Sequence, residues 1–222
     1  TKEGSIDTTV NILECVNEFQ KKHKSNLQRF VYISSSMVYG DFKKKTASEE
    51  DICEPIELYG TMKLSGEIIT KGLCKFFKIK YSIIRPSAVY GPTDMNNRVS
   101  QIFIEKALKG EEITIQGKKE SLDFTYVEDL VNGIILSATK KGGINETFNI
   151  TRGKAEKLVS FVKILAARIK NIKIKIVTRD SFRPVRGTLS VKKAKKLLNY
   201  NSKFSLVNGL KKYLDFLDKF KK

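Results

Sequence analysis

Tyr59 and Lys63 stand four residues apart, a spacing that places both side chains on one face of a helix. An ammonium group close to a phenol favours the phenolate. A tyrosine activated in this way can act as a general base near neutral pH. The spacing alone is weak evidence, because the chain has a second pair, Tyr39 and Lys43, and about one such pair is expected by chance from its tyrosine and lysine content.

Sequence context separates the two pairs. Tyr59 opens an amphipathic helix predicted over residues 59–77, whereas Tyr39 lies in a predicted loop. Ser35 follows the buried strand predicted over residues 30–33. Ligands of open α/β sheets bind at the carboxyl ends of the strands. We therefore expect a serine hydroxyl, a tyrosine and a lysine to converge on one crevice.

Strand and helix patterns alternate along the rest of the chain. Alternating βαβ units imply a parallel sheet with helices on both faces, so the fold class is α/β. The Ile and Lys alternation over residues 172–177 predicts a strand with one solvated side. Helices are predicted near residues 6–19, 59–77, 98–109, 127–139, 158–169, 190–198 and 205–219, and strands at 30–33, 81–84, 113–115, 123–126, 148–150 and 172–177.

The 222 residues carry a formal net charge of +18, which could indicate an anionic partner. Most of the basic residues are lysines spread along the chain, whereas base and phosphate recognition relies on the planar fork of arginine. We interpret the charge as a solvated lysine-rich surface and expect no nucleic-acid partner. No stretch approaches the roughly 20 apolar residues of a membrane helix, and no leader opens the chain, so we expect no membrane partner and a cytoplasmic location.

Cysteine and histidine content argues against several kinds of catalytic site. The three cysteines, Cys15, Cys53 and Cys74, lack CxxC spacing, so neither a zinc site nor a disulfide framework is expected. His23 is the only histidine and lies in the polar run KKHK. A Ser-His-Asp triad and a metal site are therefore not expected.

Five sequence blocks occur in the order in which they are found in a known family. They are residues 30–40 (FVYISSSMVYG), 59–63 (YGTMK), 85–92 (RPSAVYGP), 123–130 (DFTYVEDL) and 183–198, which begins RPVRGT. The blocks resemble those of the extended short-chain dehydrogenase/reductases. More narrowly, they resemble the NAD-dependent nucleotide-sugar epimerases and dehydratases, which include UDP-glucose 4-epimerase.

The resemblance implies the C-terminal part of a Rossmann-like parallel-sheet domain plus a smaller α+β substrate-binding domain. Residues 1–92 and 120–152 would form the partial NAD-binding domain with the Tyr-Lys site. Residues 93–119 and 153–222 would form the domain that binds the nucleotide sugar. Relatives often dimerise through the two helices predicted here near 6–19 and 59–77, so the resemblance also implies a homodimer for the intact protein.

The resemblance also implies a role for each catalytic residue. Tyr59 would take the proton from a sugar hydroxyl, Lys63 would hold the nicotinamide ribose, and Ser35 would hydrogen-bond the same sugar oxygen. Hydride would pass from the sugar carbon to NAD, giving a keto-sugar, and in a 4-epimerase it would return to the other face. The implied cofactor-binding residues are Ser34, Tyr59, Lys63, Pro86 and Ser87.

Substrate contacts carry over to residues that also have simpler interpretations. The implied ligand is a UDP-sugar. Asn97 could instead solvate the first turn of a helix, Thr114 and Gln116 could be ordinary strand surface, and the two arginines could be surface charge. The implied substrate-binding residues are Ser36, Asn97, Thr114, Gln116, Arg183 and Arg186.

The sequence departs from the family in one large respect, because it contains no GxGxxG or GxxGxxG loop to bind the pyrophosphate of a dinucleotide. We expect that roughly 80–100 residues preceding the family's fourth helix are missing and that the fragment is inactive without them. The loop Ser35-Ser36-Met37 lacks the Asp-Glu pair of sugar 4,6-dehydratases, which disfavours dehydration. A 4-epimerase is therefore the leading hypothesis. A nucleotide-sugar 4-ketoreductase, an incomplete fragment and a non-enzymatic binding protein stay open, as does the choice between NAD and NADP.

Overall fold

A computed structural model gives the structure of the protein and describes residues 6–24, 27–180 and 182–219. The α-helices of these residues are α1 (Thr8–His23), α2 (Leu58–Phe76), α3 (Val99–Lys109), α4 (Val127–Thr139), α5 (Leu158–Ala166), α6 (Lys192–Leu198) and α7 (Leu206–Lys219). The strands are β1 (Phe30–Ile33), β2 (Thr46–Ala47), β3 (Tyr81–Arg85), β4 (Val89–Tyr90), β5 (Ile113–Gln116), β6 (Ser121–Leu122), β7 (Thr125–Tyr126), β8 (Glu146–Asn149), β9 (Glu156–Lys157), β10 (Ile174–Val177) and β11 (Thr188–Leu189). All seven predicted helices are present, with ends within four residues of the prediction.

The largest sheet is three-stranded and entirely parallel, in the order β1-β3-β8. Ile84 in β3 lies opposite both Ile33 in β1 and Phe148 in β8, which sets the register. Parallel strands need helical crossovers, and α2 and α4 supply them here. The predicted α/β class is therefore confirmed.

Helices cover both faces of this sheet. Successive side chains of a strand point to opposite sides, so the apolar strands present side chains to be buried on each face. One face carries Ile84 and Phe148, which pack with residues of α4 and α6 such as Leu130 and Leu198. The other face carries Phe30 and Tyr81, which pack with residues of α1 and α2. The carboxyl ends of β1 and β3 are left open at one edge, where ligands of such sheets bind.

A second core lies between α3, α5, α7 and the short strands β5 and β7. It is rich in aromatic residues. The Tyr90 and Phe124 rings meet edge to face with centroids 6.2 Å apart, and the Phe161 centroid lies 4.9 Å from that of Phe124. Phe103, Leu122 and Leu158 of this core line the same cleft as the Ser34–Ser36 segment.

Two sequence predictions are wrong in detail. The strand predicted over residues 172–177 has one solvated side, but both sides of β10 are solvated: Ile174 and Ile176 are 44% and 46% exposed, because β10 pairs only with β5 in a two-stranded sheet. The strand expected at 123–126 is confined to Thr125–Tyr126, with Asp123 buried just before it. The division into two domains stays a prediction. Within the described residues, no helix combines the length and apolar character needed to cross a membrane.

Candidate active site

A cleft of about 900 Å³ opens at the carboxyl ends of β1 and β3. Its walls come from the segment after β1, the first turns of α2, the start of α3, β5 and the segment around residues 183–186. The cleft brings together eleven of the residues singled out from the sequence: Ser34, Ser35, Ser36, Tyr59, Lys63, Pro86, Asn97, Thr114, Gln116, Arg183 and Arg186. Ser87 is not among the lining residues and is buried.

Tyr59 and Lys63 lie on the cleft side of α2, one turn apart. The Tyr59 ring is 48% exposed, and the Lys63 Nζ lies 5.9 Å from its centroid. Burial, reinforced by the charge of Arg98, lowers the pKa of the Lys63 ammonium. Gly60 lets this first turn pack tightly, since a Cβ there would lie 2.5 Å from the Met37 carbonyl oxygen. The first turn of α2, which carries Tyr59, therefore packs directly against the segment that follows the three serines.

The three serines after β1 have different environments. Ser35 begins a short 3₁₀ turn over Ser36–Tyr39, and its Oγ accepts a hydrogen bond of 3.2 Å from the Met37 amide. That bond leaves the Ser35 O–H free of any acceptor among the described residues. The Ser34 hydroxyl donates to the Glu67 carboxylate, while Ser36 is buried at the cleft wall. Ser35 is thus a cleft-lining serine whose hydroxyl can donate a hydrogen bond to a ligand.

The second tyrosine-lysine pair is not in the cleft. The Tyr39 hydroxyl is buried, where it donates to Asn149 Oδ1 over 2.8 Å and accepts from Arg85 over 3.0 Å. Burial raises the pKa of Tyr39, so its phenol stays protonated. Lys43 is exposed and faces Glu54 at 3.7 Å. Of the two pairs, therefore, the one at Tyr59 and Lys63 lines the cleft.

Sequence reasoning missed two groups of residues beside the site. Glu67 and Arg85 form a buried ion pair beneath the cleft, and a carboxylate four residues after Lys63 on the same helix was the available signal. Arg98, just before α3, lines the cleft as a further cation. It stands in a polar run of the sequence, and no spacing in that run indicates its role.

The cleft wall is strongly cationic. Lys63, Arg98, Arg183 and Arg186 line it, against a single carboxylate, Glu57. The Arg186 guanidinium lies 3.7 Å from the Met37 sulfur, and burial lowers the pKa of Arg186. Cations placed together in a partly buried cleft favour an anionic ligand, and guanidinium groups match phosphate or carboxylate oxygens in particular.

The remaining candidates line the same cleft with free polar groups. Asn97 adopts a left-handed backbone conformation with φ of 52°, and its backbone N–H donates to the Gln101 side chain. Thr114 is exposed on β5. The Gln116 side-chain oxygen is shielded from solvent and has no hydrogen-bond partner among the described residues. Among the described residues, no group of three or more His, Cys, Asp or Glu side chains is placed to hold a metal ion.

Comparison with known proteins gives consistent matches. The model of the NAD dependent epimerase/dehydratase family matches residues 2–151. A protein of Bacillus subtilis described as an uncharacterized UDP-glucose epimerase, YtcB, is 31% identical over 212 residues, which are 94% of this chain and 66% of that protein. The chain spans about two thirds of the length of the curated relatives it matches.

Solved structures agree with the sequence matches. The UDP-glucose 4-epimerase of Thermotoga maritima, solved with UDP-glucose, superposes with a TM-score of 0.89 at 28% identity and covers 100% of this chain and 71% of that one. The UDP-glucuronic acid 4-epimerase of Bacillus cereus, solved with UDP-glucuronic acid and NAD, gives a TM-score of 0.88 at 28% identity, covering 97% and 68%. These likenesses confirm a Rossmann-like α/β fold. Since the family model matches well over half of the sequence, the chain belongs to the NAD dependent epimerase/dehydratase family.

Proposed function

We propose that this chain carries the catalytic and substrate-binding part of an NAD-dependent nucleotide-sugar 4-epimerase that acts on a UDP-sugar. The observation that carries the proposal is the convergence of Ser35, Tyr59 and Lys63 at one end of a cleft whose wall is cationic. The names of the relatives, which include UDP-glucose and UDP-glucuronate 4-epimerases, support this substrate class.

The positions of the three side chains support a catalytic role for each. Tyr59 faces the open cleft and would accept the proton of the sugar hydroxyl as the general base. Ser35 would donate its free O–H to the same oxygen and so orient it. Lys63 would place a positive charge beside the phenol and stabilise the phenolate. Holding these groups in fixed positions around one oxygen supplies much of the rate enhancement.

The residues present fit the nicotinamide riboside end of NAD. The Lys63 ammonium donates to the Ile33 carbonyl and, among the described residues, to nothing else, so two N–H groups remain for ribose hydroxyls. Ser34 and Pro86 line the same wall, and the buried Ser87 would support it from the protein interior. When bound, NAD supplies the acceptor and donor of hydride for the sugar carbon. The sequence offers no glycine-rich loop for the pyrophosphate, so the proposed contacts cover one end of the cofactor.

The cationic wall would hold the diphosphate of the substrate. Arg186 and Arg183 would bind phosphate oxygens, because a guanidinium can contact two of them at once. Asn97 would contribute its amide at the same end. Thr114 and Gln116 would contact the nucleotide base along β5, where the unpartnered Gln116 oxygen needs a donor. Ser36 would complete the sugar end of the site.

A tyrosine substitution tests the proposed function. The natural polypeptide that carries this chain would be assayed for interconversion of UDP-glucose and UDP-galactose and of the corresponding uronates. We expect Tyr59→Phe to lower kcat at least about 100-fold while UDP-sugar affinity changes less than threefold. Tyr81→Phe, a matched change outside the cleft, should leave both unchanged. Full activity of Tyr59→Phe, or consumption of one cofactor per sugar in the wild type, would contradict the proposal.

We also propose that the intact protein is a homodimer formed through α1 and α2. These helices pack on each other and expose Ile12 and Phe19 on α1 and Ile68 and Phe76 on α2. Exposed apolar side chains on neighbouring helices mark an interaction surface. Sedimentation should give a dimer for the wild type and a monomer for Phe19→Lys, and an unchanged dimer in that variant would contradict this interface.

A further inference from the structure

Glu67 lies beneath the cleft, on α2, one turn after Lys63, and is 1% exposed. Both of its carboxylate oxygens are occupied. Oε1 accepts hydrogen bonds from Ser34 Oγ at 2.5 Å and from Arg85 Nε at 2.9 Å, and Oε2 accepts from Arg85 Nη2 at 2.7 Å. One side chain of α2 therefore holds the residue after β1 and the last residue of β3.

Arg85 extends this network to the far side of the sheet. Its Nη1 donates to the Tyr39 hydroxyl at 3.0 Å, and that hydroxyl donates to Asn149 Oδ1 at 2.8 Å. The backbone N–H of Asn149 in turn donates to the Glu49 carboxylate at 2.8 Å. The chain of bonds thus joins α2 to the ends of three neighbouring strands, β1, β3 and β8.

Each residue held by Glu67 adjoins a residue that lines the cleft. Ser34 precedes Ser35, and Arg85 precedes Pro86, while Lys63 precedes Glu67 by one turn. The Glu67 carboxylate is thus the side-chain group of α2 that bonds to both loops, and it helps to set their distance from the Tyr59–Lys63 face of the helix. A displacement of about 1 Å in such a constellation can cost about 100-fold in rate.

We propose that Glu67 is a positioning residue for the proposed epimerase reaction, fixing the Ser35 and Pro86 loops against the Tyr59–Lys63 face of α2. The inference rests on the proposed function for its catalytic readout. A positioning role explains why the Glu67 and Arg85 charges are kept in the protein interior, where a pair of apolar side chains often gives equal or greater stability. The two bonds from Arg85 to the Glu67 carboxylate fix the relative orientation of the two side chains as well as their separation, whereas apolar packing has no such directionality.

The test compares paired substitutions in the natural polypeptide that carries this chain. Glu67→Met with Arg85→Met removes both charges together and leaves no unpaired ion. Glu67→Gln with Arg85→Gln keeps an uncharged hydrogen-bonded link. The matched control is Arg152→Met with Glu156→Met, a 3.1 Å pair whose residues do not line the cleft. The measurements are the thermal midpoint, kcat and KM for the UDP-sugar, and amide hydrogen exchange at residues 34–36.

We expect the methionine pair to fold, to lose at least 30-fold in kcat with KM within threefold of the wild type, and to exchange faster at residues 34–36. The glutamine pair should recover part of the lost kcat, and the control pair should match the wild type. A folded methionine pair with kcat within twofold of the wild type would overturn the role of Glu67.

Two further outcomes are also decisive. If the methionine pair does not fold, the glutamine pair decides, because it leaves every cleft-lining side chain unchanged. We then expect a kcat about fivefold below the wild type at constant KM with faster exchange at residues 34–36, and wild-type values of both would reject the proposal. If the wild type interconverts no UDP-sugar, the proposed function fails. Amide hydrogen exchange of the methionine pair then tests the role of Glu67 without an activity assay. Protection at residues 34–36 equal to that of the wild type would show that Glu67 does not hold that loop.

Discussion

The Lys63 ammonium donates a hydrogen bond of 2.9 Å to the carbonyl oxygen of Ile33, the last residue of β1. This contact fixes the charged end of a flexible side chain at the point where the strand ends and the serine segment begins. It also uses only one of three N–H donors. The same ammonium lies 5.4 Å from the Tyr32 ring and 5.9 Å from the Tyr59 ring, so aromatic faces stabilise the charge on the protein side.

Replacing Lys63 should abolish activity, whereas replacing the lysine of the other pair should not. Lys63→Met removes the bond to Ile33 and the positive charge beside Tyr59, and we expect kcat to fall at least about 100-fold. Lys43→Met removes only an exposed charge facing Glu54 and should leave kcat within twofold. Steady-state kinetics of the two variants side by side check this. Equal losses in both would remove the distinction between the two pairs.

The sequence predicted that Ser35, Tyr59 and Lys63 share one cleft because the signals are local, and all three line it; their catalytic roles stay a prediction. Those signals are the four-residue spacing on α2 and an apolar run that ends in serines. The bonds that hold these three residues together could not be predicted, because Glu67 and Arg85 meet only after β3 packs against α2. Two-residue strands such as β4 and β6 carry too little pattern to be recognised in a sequence.

Arg186 should be needed for anion binding and dispensable for folding. Its guanidinium is held in the cleft wall with Arg98 and Arg183 nearby, and burial lowers its pKa, so the protein keeps this charge at a cost. We expect Arg186→Met to weaken UDP binding at least about tenfold without lowering the thermal midpoint. Isothermal titration with UDP and with uridine checks this, since uridine lacks the diphosphate and should lose little affinity.

The control for that variant is Arg168→Met. Arg168 pairs with Asp215 and Asp218 on the exposed side of α7, and it does not line the cleft. UDP affinity should therefore stay at the wild-type value. A loss of UDP affinity in this variant equal to that in Arg186→Met would point to general surface charge instead of a site.

Arg98 should act together with Arg186, although no sequence motif includes it. It lines the same cleft as Lys63 and Arg186, and its charge adds to burial in lowering the pKa of both. We expect Arg98→Met to weaken binding of UDP-sugars about tenfold. Comparing UDP, UDP-glucose and UDP-glucuronate shows which anionic group it meets. A loss for all three indicates the diphosphate, a loss for the uronate alone indicates the sugar carboxylate, and no loss would contradict an anion-binding role.

Asp123 should make folding stability depend on pH. Burial raises its pKa to about 6, despite hydrogen bonds from the Leu189 amide at 3.0 Å and the Thr151 hydroxyl at 3.1 Å. Between its ordinary value near 4 and this raised value, the folded chain binds the proton more tightly than the unfolded chain. The free energy of unfolding should therefore fall as pH rises from about 4 to 6, by up to about 3 kcal/mol from this group. Urea unfolding of wild type and Asp123→Asn at pH 4, 5, 6 and 7.5 isolates the effect, and parallel pH dependence in both proteins would contradict it.

Two glycines of α2 should respond to alanine in opposite directions. A Cβ at Gly66 would lie 2.0 Å from the hydroxyl oxygen of the buried Tyr32, so Gly66→Ala must push α2 or the Tyr32 ring out of place. A Cβ at Gly72 meets nothing within 4 Å, so Gly72→Ala gains helix propensity alone. We expect the free energy of unfolding to fall by about 1–3 kcal/mol for Gly66→Ala and to rise by about 0.5–1 kcal/mol for Gly72→Ala, by urea denaturation.

Because Gly66 lies between Lys63 and Glu67, Gly66→Ala should also lower kcat in the folded variant. A stabilised and fully active Gly66→Ala would mean that the close approach of α2 to β1 is not needed to hold the site.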